Sequence, residues 1–266
     1  MSDREAYPNA PVVLVAVEVR HPTAGSLSHA EQVKIKQLLG SQLPLLRTAT
    51  MMNVQATVGA APDVTTERAP RYVSRDRTTA VTLRSGAAVI ETTRYERYER
   101  LRDLAALVFE ARQTVAPVDG VERLGLRYID ELRVPENGDG TASWESWVDP
   151  TLLGPLLIGS RLGLSASHWE GTAVFSNGPD MNLVLRSGPR EGYAVDPSGD
   201  LKRAAPPPGP FFLVDIDSFW TPSGEVPEFD AEKLLTVLDD LHNPVRTLFE
   251  GLITERLRKE VLRNGG

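Results

Sequence analysis

The stretch Glu122-Arg-Leu-Gly-Leu-Arg-Tyr-Ile-Asp-Glu-Leu-Arg-Val134 alternates charged and apolar side chains until Pro135 and the turn-rich Asn137-Gly-Asp-Gly140 end it. Successive strand residues point to opposite faces. Arg123, Arg127, Glu131 and Arg133 therefore share one face, and Leu124, Leu126, Tyr128, Asp130 and Leu132 the other. A strand apolar on one side belongs to an antiparallel sheet that packs helices on that side, whereas a parallel sheet buries both faces and reads as unbroken apolar runs.

Working towards the N-terminus, Tyr98–Val115 places Leu101, Leu104, Ala105, Val108, Ala111 and Val115 at helical spacing, with Pro117 and Gly120 as stops. Before it, Tyr72–Asp76, Thr78–Arg84 and Ala87–Tyr95 read as a three-stranded meander with a tight turn at Ser85-Gly86. Residues 45–69 are ambiguous, with a short strand at Val54–Val58. A helix capped by Ser28 carries Val33, Leu38, Leu39 and Leu43 and closes near Pro44. Val12–Val19, bracketed by Pro11 and Pro22, reads as a strand buried on both faces.

Towards the C-terminus, Pro150–Ile158 forms a short helix. Ser165–Ser176 and Met181–Ser187 form a hairpin, and Phe211–Phe219 a strand. Asp230 caps a helix through Leu234, Leu235, Leu238 and Leu241, which breaks at Asn243-Pro244 and resumes with Val245, Leu248, Phe249, Leu252, Ile253 and Leu257. The order β-α-β-β-β-α thus occurs twice, from about residue 12 to 116 and from about 121 to 263. The expectation is an α+β fold of two such units, residues 1–118 and 119–266. The sheet is mainly antiparallel and the helices lie on one face. Ser187–Pro210, with its Ala-Ala-Pro-Pro-Pro-Gly-Pro run, is the longest irregular segment.

The 266 residues carry 29 Lys+Arg against 36 Asp+Glu, a net charge of −7 that disfavours non-specific binding to nucleic acid or anionic lipid. Aromatic residues are scarce, at 6%, which with the net charge gives nucleic-acid binding little support. Absence of cysteine excludes disulfides, thiolate nucleophiles and Cys-ligated metal centres. Met1-Ser-Asp-Arg-Glu-Ala-Tyr-Pro8 lacks a signal pattern and no run is long enough to span a membrane, so a cytoplasmic protein is expected. Gly-x-Ser-x-Gly, Gly-x-x-x-x-Gly-Lys-Ser/Thr, Gly-x-Gly-x-x-Gly and His-Glu-x-x-His motifs are all missing, and neither a cofactor nor a metal is expected.

Arginine forks suit carboxylates and phosphates. Arg71, Arg123 and Arg127, with Glu91 as a carboxylate partner, form the candidate anion site, and Gly125 leaves room for a ligand or a neighbouring side chain. The competing reading is a structural Arg–carboxylate network. Asp215 and Asp217 share a strand face but lack further ligands at metal-binding spacing. His242, before Asn243-Pro244, reads as a helix-junction residue.

Arg71-Tyr-Val-Ser-Arg-Asp76, Glu91-Thr-Thr-Arg-Tyr95, Arg123-Leu-Gly-Leu-Arg-Tyr-Ile-Asp130, Leu213-Val-Asp-Ile-Asp217, Leu241-His242 and Phe249-Glu250 together resemble a sporadically distributed, largely uncharacterised prokaryotic protein family of about this length. The resemblance covers most of the chain, from Tyr7-Pro-Asn-Ala-Pro11 to the last helix, and Gly125-Leu-Arg-Tyr-Ile129 is its firmest motif. Members of that family often carry Asn where this chain has Asp130. The resemblance implies no activity; patchy distribution of this kind accompanies mobile or defence-related gene clusters.

The expected function is a non-enzymatic binding or interaction protein. Its arginine-lined face holds an anionic ligand or an acidic partner, as in an accessory of a defence or toxin–antitoxin-like system, and the C-terminal helix forms a homodimer seam. The alternative is an enzyme acting on a phosphorylated or nucleotide-like small molecule. Arg71, Arg123 and Arg127 then clamp the phosphate, and Glu91 or Asp76 serves as base.

Overall fold

A computed structural model describes residues 7–55, 63–138, 140–164 and 169–264. Its strands are β1 (Val12–Arg20), β2 (Leu45–Gln55), β3 (Asp63–Val73), β4 (Thr79–Leu83), β5 (Ala87–Thr92), β6 (Arg123–Leu132), β7 (Gly171–Ser176), β8 (Met181–Gly192) and β9 (Gly209–Trp220). They form one sheet in the order β2-β3-β4-β5-β1-β6-β9-β8-β7. Every neighbouring pair is antiparallel. The fold is therefore α+β, and both halves of the chain share this sheet, joined where β1 pairs with β6.

The sequence leaves residues 45–69 ambiguous, but they supply β2 and most of β3, a strand pair in polar dress. The first half accordingly carries four strands between its two helices rather than three. Of the expected Val54–Val58 strand, residues 56–58 lie outside the described residues. β1 corrects a second expectation. Val13, Val15, Val17 and Val19 are buried, whereas Leu14, Ala16 and Glu18 are half-buried, because helices cover only one face of the sheet.

Helices α1 (His29–Leu39), α2 (Tyr98–Val115) and α4 (Ala231–Leu252) pack on that face. Ser28 and Glu31 close a reciprocal capping box at the start of α1. The helix ends at Leu39, earlier than Pro44, because Gly40 turns the chain with φ +56°, a left-handed conformation that glycine adopts without strain. α2 has the bounds its periodicity predicts. The short α3 (Gly154–Leu162) follows a single 3₁₀ turn at Pro150–Leu152.

α4, capped by Asp230, runs through Pro244 without the expected break. An internal proline removes one backbone hydrogen bond and crowds the preceding turn. Leu241 and Val245, both buried against the sheet, hold the helix together across the defect. Of the apolar stripe after Pro244 that suggested a dimer seam, Val245, Leu252, Ile253 and Leu257 are buried in the chain's own core, and Leu248 and Phe249 are half-buried against it.

The opposite face of the sheet is polar, and residues 193–208 fold back over part of it. Leu201 anchors them in a small cluster with Val73, Ala80, Leu14 and Leu45. Burying that one leucine is worth roughly 2 kcal/mol.

Candidate functional site

The four candidate residues, Arg71, Glu91, Arg123 and Arg127, all lie on this polar face, each already engaged. Arg71 donates from Nη1 to Glu91 at 2.7 Å and to Thr82 at 2.6 Å, and from Nε to Asp200 at 2.8 Å. Arg123 donates to Glu18 at 3.0 Å and to Asp217 at 3.2 Å, with its guanidinium over the Phe219 ring. Arg127 forms a bidentate pair with Asp215 at 2.7 and 2.6 Å.

Gly125 makes room for a neighbour. A Cβ there would collide with the Arg123 guanidinium, which lies across the backbone at that point. Arg71 sits on β3 and Arg123 and Arg127 on β6, with β4, β5 and β1 between. Four strand spacings, about 19 Å in all, keep the three arginines from converging on one phosphate. Asp76 is bound by Ser74, Thr78 and Arg94, which push its pKa down to about 2. That is the wrong direction for a base at neutral pH.

A different cluster lies on the helix side. The turn from β5 into α2, the start of α2, the C-terminal half of β6, Ile216 of β9, the middle of α4 and the N-terminal segment from Tyr7 line a pocket of about 460 Å³. Its size is that of a small-molecule site. Tyr95, Tyr98, Tyr128 and His242 form its aromatic wall. Tyr98 and His242 stack with centroids 3.8 Å apart and planes within 1°, and Tyr95 meets Tyr128 edge to face at 5.4 Å.

The Tyr128 hydroxyl lies 3.1 Å from His242 Nδ1 and 3.4 Å from the Tyr95 hydroxyl. It has one proton and two partners. If it donates to Tyr95 it accepts from His242, and if it donates to His242 it accepts from Tyr95. Burial, reinforced by Tyr95, holds the Tyr128 phenol well above its ordinary range. Behind this wall Tyr98 donates to Asp239 at 2.8 Å, and Arg102 does the same. Burial opposes ionisation of Asp239, but the Arg102 and Tyr98 hydrogen bonds outweigh it and lower its pKa.

Asp130 also lines the pocket, only 2% exposed. Its Oδ1 has no hydrogen-bond partner, and among the described residues its carboxyl forms no ion pair. Burial, with a smaller contribution from Asp215, pushes its pKa up to about 8. Most of the group is therefore a neutral acid at pH 7, with a donor and an acceptor side by side. Arg97 and Arg246 stand on the exposed rim. Neither forms an ion pair among the described residues. At the other edge Tyr7 donates to Glu250 at 3.0 Å, which Arg258 also binds.

Alternation along β6 already places Tyr128 and Asp130 on its apolar face, and a lone carboxylate among leucines is the sequence signal for this site. His242, read as a helix-junction residue, was the second signal, a polar ring inside the stripe of α4. Tyr95 and Tyr98 carry no signal of their own, since only the turn from β5 into α2 brings them to β6.

Among the described residues, no group of three or more His, Asp or Glu side chains could hold a metal ion. No described helix is long and apolar enough to cross a membrane. No protein-family model matches the chain, and no curated protein matches it in sequence.

Proposed function

We propose that the chain is a cytoplasmic small-molecule binding protein whose ligand fills the tyrosine-lined pocket and keeps an anionic group at its mouth. The observation that carries this reading is Asp130. A buried carboxyl without a partner is costly to the fold, and such groups persist where a ligand completes them. The anionic ligand expected from the sequence is retained, but Arg97 and Arg246 replace Arg71, Arg123 and Arg127 as the cations that meet it. Arginines already neutralised by carboxylates gain little from a further anion.

The same reading treats the two halves as copies of one unit. In each, a first strand, a helix and a run of antiparallel strands lead back to a strand beside the first, and a closing helix follows. The pocket lies between them, with Tyr95 and Tyr98 from one half and Tyr128, Asp130 and His242 from the other. Ligand-observed NMR with a library of aromatic fragments tests the proposal. Fragments should bind wild-type protein and be lost in His242→Ala, with folding checked by circular dichroism. Fragments that bind both proteins equally, or none at all, would refute it.

The Tyr128–His242 hydrogen bond supports a second reading, an enzyme in which phenol and imidazole pass a proton to a bound substrate. Product formation by wild type but not by a His242→Gln variant that still binds would establish it.

A further inference from the structure

Three features of the tyrosine pocket narrow the chemistry of what it holds. The first is the buried carboxyl of Asp130, with Oδ1 unpartnered in the pocket wall. Protonated, as burial makes it at neutral pH, it presents O–H beside C=O. A lactam or amidine edge, with N–H beside an acceptor, matches that pairing of donor and acceptor. An ionised carboxylate would only accept and would select a cation instead.

The second feature is the aromatic wall, in which Tyr98 lies flat on His242 and Tyr95 stands edge-on to Tyr128. A wall of aromatic rings favours a planar ring over an aliphatic chain. The third is the pair of rim guanidinium groups without an ion pair among the described residues, Arg97 and Arg246; of the carboxylates Glu96, Glu99 and Glu250 beside them, Glu96 is paired with Arg100 and Glu250 with Arg258. Arginine forks recognise phosphate through paired N–H donors.

We infer that the ligand is a mononucleotide or a close analogue: a nitrogen heterocycle whose donor–acceptor edge meets Asp130 and whose phosphate reaches Arg97 and Arg246. The inference rests on the tyrosine pocket being the binding site. A simple aromatic acid satisfies the arginines and the wall but leaves the buried carboxyl unpaired. That loss is what the site discriminates against.

Isothermal titration at pH 7 with AMP, GMP, CMP and UMP, their nucleosides, benzoate and inorganic phosphate tests it. At least one nucleotide binds, and its nucleoside binds about tenfold or more weakly, equivalent to the loss of one good charged contact. In the Arg97→Ala/Arg246→Ala double variant the nucleotide falls to the level of its nucleoside. Asp130→Leu lowers nucleotide affinity by about tenfold or more. Because it removes a buried unpaired carboxyl, this variant folds at least as well as wild type.

Silence from all four nucleotides, or binding indifferent to Asp130→Leu, would overturn the inference. If benzoate or aromatic fragments then bind the pocket, the nucleotide class alone falls and the binding site stands. If they do not, both fall together.

Discussion

Replacing Asp130 with asparagine should stabilise this protein, and the gain should grow with pH. The carboxyl is buried and unpartnered, and its pKa stands at about 8 against an ordinary value of 3.8. Between those values the folded chain holds a proton that the unfolded chain has released, so unfolding free energy falls as pH rises. Tyr95, Tyr98 and Tyr128 around it titrate above this range, and Asp215 stays paired with Arg127.

At about 1.4 kcal/mol per pH unit, the roughly three units between 3.8 and 7 give at most about 4 kcal/mol, approaching 6 above pH 8. Asparagine has the same shape and no proton to lose. Urea denaturation of both proteins at intervals from pH 4 to 9 should give curves that coincide near pH 4 and diverge towards pH 8. A difference independent of pH would show that Asp130 keeps a solvated carboxyl in the fold, and the argument from its burial would fail.

Two further predictions concern the polar face. Gly125→Ala pushes the Arg123 guanidinium off the backbone and away from Glu18 and Asp217, costing about 1–3 kcal/mol; in an Arg123→Ala background the cost should largely vanish, as a double-mutant cycle by denaturation would report. Arg203→Ala removes one of the two arginines paired with Glu131, whose side chain is 2% exposed. The expected loss is about 3 kcal/mol, the low end for a broken buried pair because Arg133 still binds the same carboxylate, and an unchanged midpoint would contradict that accounting.

The antiparallel α+β architecture was legible because strand and helix periods are plain in β6, β1 and α2. Where Thr, Arg, Met and Glu replace that alternation, as in β2 and β3, pairing with a neighbour defines the strand and a local pattern does not. Pro244 misled because its cost is local, whereas the burial that offsets it comes from residues distant in sequence. The arginines were read onto the correct face. Their carboxylate partners Asp200, Glu18, Asp215 and Asp217 come from three other segments, so neutralisation could be named as a rival but not decided. The tyrosine pocket was beyond local reading for the same reason. Tyr128 and Asp130 share one strand, and Tyr95 and Tyr98 the turn into α2, but nothing local brings these two segments to each other or to His242 on α4.

The seam between β1 and β6 joins strands from different parts of the chain through eight registered residue pairs. A molecule in the tyrosine pocket touches both sides at once and acts as a rivet across that joint. At a concentration one hundred times its dissociation constant it would add about 2.7 kcal/mol to the folded state. The gain would appear as a single sharpened melting transition, because neither half could loosen without releasing the rivet.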